Sequence, residues 1–191
     1  LNDAAALSDG GWLLAGTENV KNQILAVRLD SAGNVLWTGS VGAPGSVELV
    51  RAVALPGDEV ALVVRETSKS QVDTRLVRWS AAGTVAADFS IGIDGNQYAF
   101  GAHGAGDHVV VVGQATSLLN SQAGFATALG LQGKQVWTSA LYLPHNTVLR
   151  AVVPRPGGGW LALGDHDLIG KDRQIVAVAF SPTGAFFCGP K

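Results

Sequence analysis

A period of about 50 residues constrains this chain more than any other feature. The segments DSAGNVLW, SAAGTVAA, LQGKQVW and SPTGAFF place turn glycines at 33, 83, 133 and 184, at spacings of 50, 50 and 51. Four residues beyond each glycine stand Trp37, Ala87, Trp137 and Cys188. A second marker keeps step with the first: GGWLLAG at 10–16, GDEVALVV at 57–64, GDHVVVVG at 106–113 and GGGWLALG at 157–164. Trp12 and Trp160 therefore occupy the same place in the first and fourth copies, where they read as packing residues. Two independent markers with one period establish a tandem repeat, the signature of a solenoid, an array or a propeller.

Each copy reads as four strands. In the second, VELVRAVAL (47–55) leads through Pro56-Gly57-Asp58 to EVALVVRE (59–66), and TRLVRWS (74–80) leads through AAGT to VAADFSI (85–91). Short β-branched and aliphatic runs bounded by Gly, Pro, Asp and Asn are strand signals. No segment carries the apolar spacing and N-cap of an amphipathic helix. A lone four-stranded sheet cannot bury both faces, so the copies must stack on one another. The fold predicted is all-β: a β-propeller of four antiparallel blades of about 50 residues, near 2–42, 46–93, 95–143 and 146–190, within one domain spanning 1–191. These boundaries leave both ends of the chain between blades, and unpaired sheet edges are a liability that proteins manage explicitly. A larger ring is therefore open as well, completed or contacted by a protein partner or a second copy. The start at Leu1, with no methionine in the chain, is what a processed or excised piece would show.

Composition narrows the partners. Charged residues make up 15% of the chain and the net charge is −2, with no cluster of Lys and Arg. Duplex binding needs such a cluster to displace counterions, so no nucleic-acid partner is expected. No apolar run approaches the roughly 18 residues of a membrane span. The single cysteine, Cys188, rules out a disulfide within the chain and a thiolate metal cluster.

The units AVRLDSAGNVLWT (26–38) and ALGLQGKQVWTSA (128–140) resemble the quinoprotein-like (PQQ-like) propeller repeat. The complete unit, with its DGGW…AG opening and LDSAGNVLW close, is still more similar to the secreted bacterial repeats of the delta-60 or SBBP type. The resemblance runs along the whole chain and implies the propeller fold and an extracellular or periplasmic location. It departs from quinone-dependent dehydrogenases, which carry a vicinal cysteine pair over the cofactor and eight blades.

In this chain order, the loops between second and third strands share a face with the links between blades. The polar segments 17–23, 67–73, 114–124 and 164–174 read as long loops on that face, and exposed loops on a rigid scaffold are where recognition residues collect. Asp165, Asp167 and Asp172, with His166 between them, offer ligands for a cation such as Ca2+; no other cofactor is expected. Asn96, Tyr98, Tyr142, His145 and Asn146 suggest a polar and aromatic patch for a glycan or peptide. Arg51 and Arg150 read as matching positions on the innermost strands, able to bind an anion or neighbouring carbonyls. No nucleophile elbow, zinc-protease helix or phosphate loop occurs. The expected function is thus a non-catalytic binding or scaffolding propeller acting through its long-loop face. A lectin-like module is the alternative, and an axial-pocket glycan lyase or hydrolase a more distant one.

Overall fold

The computed structural model describes residues 1–93, 95–116, 122–143, 146–167 and 173–186. The first sheet orders β1 (Asp3–Ala6), β2 (Trp12–Glu18), β3 (Gln23–Leu29) and β4 (Val35–Gly42). The second contains β5 (Ser46–Ala54), β6 (Val60–Ser68), β7 (Gln71–Trp79) and β8 (Val85–Ser90). The third contains β9 (Asn96–Ala105), β10 (His108–Thr116), β11 (Gln122–Gly130) and β12 (Gln135–Leu141). The fourth contains β13 (Thr147–Pro154), β14 (Trp160–His166) and β15 (Gln174–Phe180), and a bridge from Phe180 to Phe186 begins its outer edge. Every neighbouring pair is antiparallel and consecutive in sequence. These are four propeller blades.

Burial follows from stacking. In β6, Val60 through Val64 are all buried, and in β10 so are Val109 through Gly113, because each of these strands has a blade on both sides. Valine suits such positions, since a β-branched side chain packs well on a pleated surface covered on both faces. In the first and fourth blades the second strand alternates instead: Leu13 and Ala15 are buried while Trp12 is exposed, and Trp160 and Ala162 are buried while Leu163 is exposed. Among the described residues the apolar core divides into three clusters, one at each junction between consecutive blades. Among the described residues no comparable cluster joins the fourth blade to the first.

The register explains why glycine and tryptophan recur together. Gly33, Gly83, Gly133 and Gly184 all have φ between 83° and 88°, a left-handed conformation that only glycine adopts cheaply. A Cβ placed on Gly83 would stand 2.7 Å from the Trp37 ring, on Gly133 3.0 Å from Phe89, and on Gly184 2.5 Å from Trp137. Each blade's outer-strand aromatic thus covers the turn glycine of the next blade. In the second blade the ring comes from Phe89, two residues beyond Ala87 and on the same side of the strand, because side chains alternate with period two.

The polar segments 17–23 and 67–73 form tighter hairpins than the sequence suggested. Strands β6 and β7 run to Ser68 and from Gln71, which leaves a two-residue turn, and β2 and β3 run to Glu18 and from Gln23. Thr, Gln and Val in these segments continue the ladder, so polarity marked exposure and not an end to pairing. The middle of segments 114–124 and 164–174 lies outside the described residues.

Candidate functional site

The four inner strands line an axial cavity of about 460 Å3. Its walls are Asp3–Ala6, Arg51–Ala54, Gly101–Gly104 and Ala151–Val153, mostly small side chains that leave the axis open. These are the ends of the inner strands nearer the short turns, so the cavity belongs to the half of the ring opposite the links. Asp3 and Arg51 hold the same register position in consecutive blades, opposite Ala15 and Val63, and form an ion pair at 3.5 Å. The other Asp3 carboxylate oxygen accepts the Ala52 N–H at 2.8 Å. His103 also lines the cavity and lies 6.0 Å from the Trp160 ring; burial pushes its pKa below the usual imidazole value of 6.5.

Arg51 and Arg150 are not matched, contrary to the reading of the sequence. In β5 the pairing skips Val50, in β9 Phe100 and in β13 Arg150, so a β-bulge recurs at intervals of 50 residues. Arg51 corresponds to Gly101 and Ala151; Arg150 corresponds to Val50 and Phe100. The one-residue slip at each bulge re-aims side chains. The bulged residues carry a network from blade to blade: the guanidinium carbons of Arg65 and Arg150 lie 5.5 and 5.3 Å from the centroid of the Phe100 ring. Arg65 in turn pairs with Glu48, and Arg150 with Asp165. Arg65 and Phe100 were not expected from the sequence, although positions 50, 100 and 150 share the spacing of the repeat.

The acidic candidates are engaged by arginines. Asp165 is bonded by Arg150 and lies 3.9 Å from Arg173; Asp167 is 3.0 Å from Arg173. His166 is buried and shares a 3.1 Å hydrogen bond with the Thr147 hydroxyl. Among the described residues no group of three His, Cys, Asp or Glu side chains is placed to hold a metal ion. Asp172 and His145 lie outside the described residues. Of the suggested patch, Asn96 accepts the Val72 N–H at 2.9 Å and so ties the second blade to the third. Tyr98 is half-buried on β9 opposite Gln114, Tyr142 is exposed, and the Asn146 carbonyl accepts the Asp167 N–H at 2.9 Å.

A second, polar cavity of about 320 Å3 opens on the loop-bearing face between the first and second blades. Thr17, Asn19, Ser46, Glu48, Arg65 and Thr67 line it, from the ends of β2, β5 and β6 and the turn after β2. Its rim is built by backbone and side-chain bonds: the Thr17 hydroxyl accepts the Leu49 N–H at 3.0 Å, and the Asn2 side-chain oxygen accepts the Thr17 N–H at 2.8 Å.

Comparison with known structures agrees with this geometry. A neuraminidase-like protein of subtype N11 from A/flat-faced bat/Peru/033/2010 (H18N11) superposes with a TM-score of 0.51 at 11% identity, over 92% of this chain and 66% of that one. The chain has a β-propeller fold. At this identity the likeness concerns the fold alone, and the chain spans about two thirds of that structure's length. No protein-family model and no curated protein matches the sequence. Among the described residues, no helix is long and apolar enough to cross a membrane.

Proposed function

We propose that the chain is a non-catalytic binding module of an exported protein, engaging a polar ligand through its loop-bearing face. The observation that carries this reading is the polar cavity between the first two blades. Its volume falls within the range of small-molecule sites, about 300–1,000 Å3, but such sites are mainly apolar. Here Asn19, Ser46, Thr67 and the Glu48–Arg65 pair present an amide, hydroxyls and charges together. A hydroxyl-rich ligand satisfies such a lining, because each donor and acceptor desolvated on binding finds a partner. A glycan fragment or a polar protein loop has that chemistry. The similarity of the repeat units to secreted bacterial repeats supports export.

The test is binding of the intact chain to an array of neutral and acidic oligosaccharides, followed by titration of any hit against wild type and Arg65→Gln. Binding that weakens about tenfold or more in the variant supports the reading, a loss in the range of a charge-assisted hydrogen bond. A hit unaffected by Arg65→Gln moves the site elsewhere. No binding to the array, together with no binding to polar peptides, removes the reading.

The axial cavity supports a second reading, an axial-pocket enzyme. His103, whose pKa burial lowers and which lines the same cavity as the Asp3–Arg51 pair, has the form of a base. Retained turnover of glycan substrates in His103→Gln would eliminate it.

A further inference from the structure

The three junctions between blades are copies of one another, and the first blade presents half of a fourth. Val60, Val109 and Trp160 hold equivalent register positions in their blades' second strands, and all three are buried against the preceding blade. The same position in the first blade is Trp12, which is 48% exposed, against 6% for Trp160. Gly83, Gly133 and Gly184 are covered by a ring from the preceding blade, whereas a Cβ on Gly33 would meet nothing within 4 Å. Leu1, Leu14, Leu25 and Val27 extend this face into a groove of about 270 Å3, with almost entirely apolar walls. Among the described residues of the fourth blade, Val153, Leu163 and Ile175 are exposed on the side away from the third.

We infer that the open face of the first blade is the docking surface for a further four-stranded unit of the same repeat, which lays an aromatic side chain of its outer strand on Gly33 and covers Trp12. The operation that carries each blade onto the next, run once backwards, puts such a unit there. A second copy of this chain is a poorer occupant. Counted along the sequence, the fourth unit carries Cys188 where the first and third carry Trp37 and Trp137, and Pro190 where the second carries Phe89, so neither position that supplies a covering ring is aromatic there. Length agrees: the four blades leave about a third of the neuraminidase-like chain without a counterpart, half the length that they match.

The experiment fuses a copy of residues 95–148, the third unit with its link, ahead of Leu1 of the full chain. The amide of Gly33 is then followed by NMR and the melting temperature by calorimetry. Docking moves the Gly33 amide upfield by ring current and raises Tm by about 5 °C or more, since about 1 kcal/mol is 2–4 °C for a chain of this size. Replacing the added copy of Trp137 by Leu abolishes the upfield shift. A parallel fusion of residues 46–98, which brings Phe89, covers the case in which the first added unit fails to fold. If neither fusion moves Gly33, the inference is wrong. It is equally wrong if the 191-residue chain alone dimerises and shifts Gly33 by itself, because the occupant is then a second copy.

Discussion

The indole of Trp37 lies against Gly83, one blade away, so closely that a Cβ on that glycine would stand 2.7 Å from the ring. The same indole donates its Nε1–H to the Ala81 carbonyl at 3.0 Å and meets Trp79 edge-on at 5.7 Å. One side chain thus reads the conformation of the neighbouring turn, fills its missing side chain and satisfies one of its carbonyls. The ring over the turn glycine is the part of this contact that the other junctions repeat.

Gly33 and Gly83 allow that contact to be measured. Their φ angles are 88° and 83°, so alanine is strained alike at both, by about 1–2 kcal/mol. Only at Gly83 does the new methyl also collide with a ring. Gly83→Ala should therefore lose about 1–3 kcal/mol more than Gly33→Ala, the usual cost of overpacking. Urea denaturation of the two variants checks the difference. Equal losses would show that Trp37 gives way freely and that the cover is incidental.

Arg28 is the counterpart of this contact at the buried edge of the same junction. It is 4% exposed, and its guanidinium donates to the Asp9 carboxylate at 2.7 Å, to the Asp58 carbonyl at 3.1 Å and to the Ala81 carbonyl at 2.9 Å. Two of the three partners belong to the second blade. Asp58 in turn accepts the Ser8 N–H at 2.9 Å and the Ser8 hydroxyl at 2.7 Å, so the two turns are laced together. Arg28→Ala should cost about 1–3 kcal/mol, because it leaves the Asp58 and Ala81 carbonyls and the Asp9 carboxylate without their donor. Arg28→Lys should recover only part of that loss, since an ammonium cannot reach three acceptors in a fixed fork. Chemical denaturation midpoints would rank the three proteins, and a lysine variant equal to wild type would refute the forked geometry.

Much of this architecture was legible before the structure, for definable reasons. Turn glycines and strand runs repeat because each blade needs the same hairpins, so the period, the strands and the equivalence of Trp12 with Trp160 could be counted. Contacts between blades could not. Gly83 recurs with Trp37 because the two touch across a junction, but along the chain Trp37 looks like the mate of Gly33. The bulge hid the second relationship: skipping Val50, Phe100 and Arg150 shifts the inner strands by one residue, so Arg51 and Arg150 appear matched until the pairing is known. Asp165 and Asp167 looked like cation ligands for a similar reason. Sequence proximity shows the acids together but not Arg150 and Arg173, which engage them.

Phe100 is the middle of the network that links the second blade to the fourth. Two guanidinium groups over one ring are each worth about 0.5–1 kcal/mol at partly exposed sites. Phe100→Leu keeps most of the apolar volume and removes the π face, so it should destabilise by about 1–3 kcal/mol. The coupling is specific: a double-mutant cycle with Arg150→Gln should return about 0.5–1 kcal/mol of interaction energy. Additive losses would mean that the ring packs without attracting the cation.

His103 gives the structure a pH dependence whose sign is fixed. Burial lowers its pKa below 6.5 in the folded chain, while the unfolded chain titrates near that value. Above pH 6.5 the imidazole is neutral in both states and leaves stability unchanged. As pH falls through 6.5 the unfolded state takes up the proton more readily, so stability declines until the folded-state pKa is passed. His103→Gln should flatten the Tm profile between pH 6.5 and the folded-state value, while leaving the steeper acid loss below pH 4. Part of that lower limb belongs to Asp9, whose carboxyl is held below its ordinary 3.8 first by the Gly11 N–H and then by Arg28. Its contribution is present above 3.8 and disappears as pH falls through the lowered value. A variant profile that superimposes on wild type from pH 5 to 7 would show that the axial cavity admits enough water to hydrate the protonated ring.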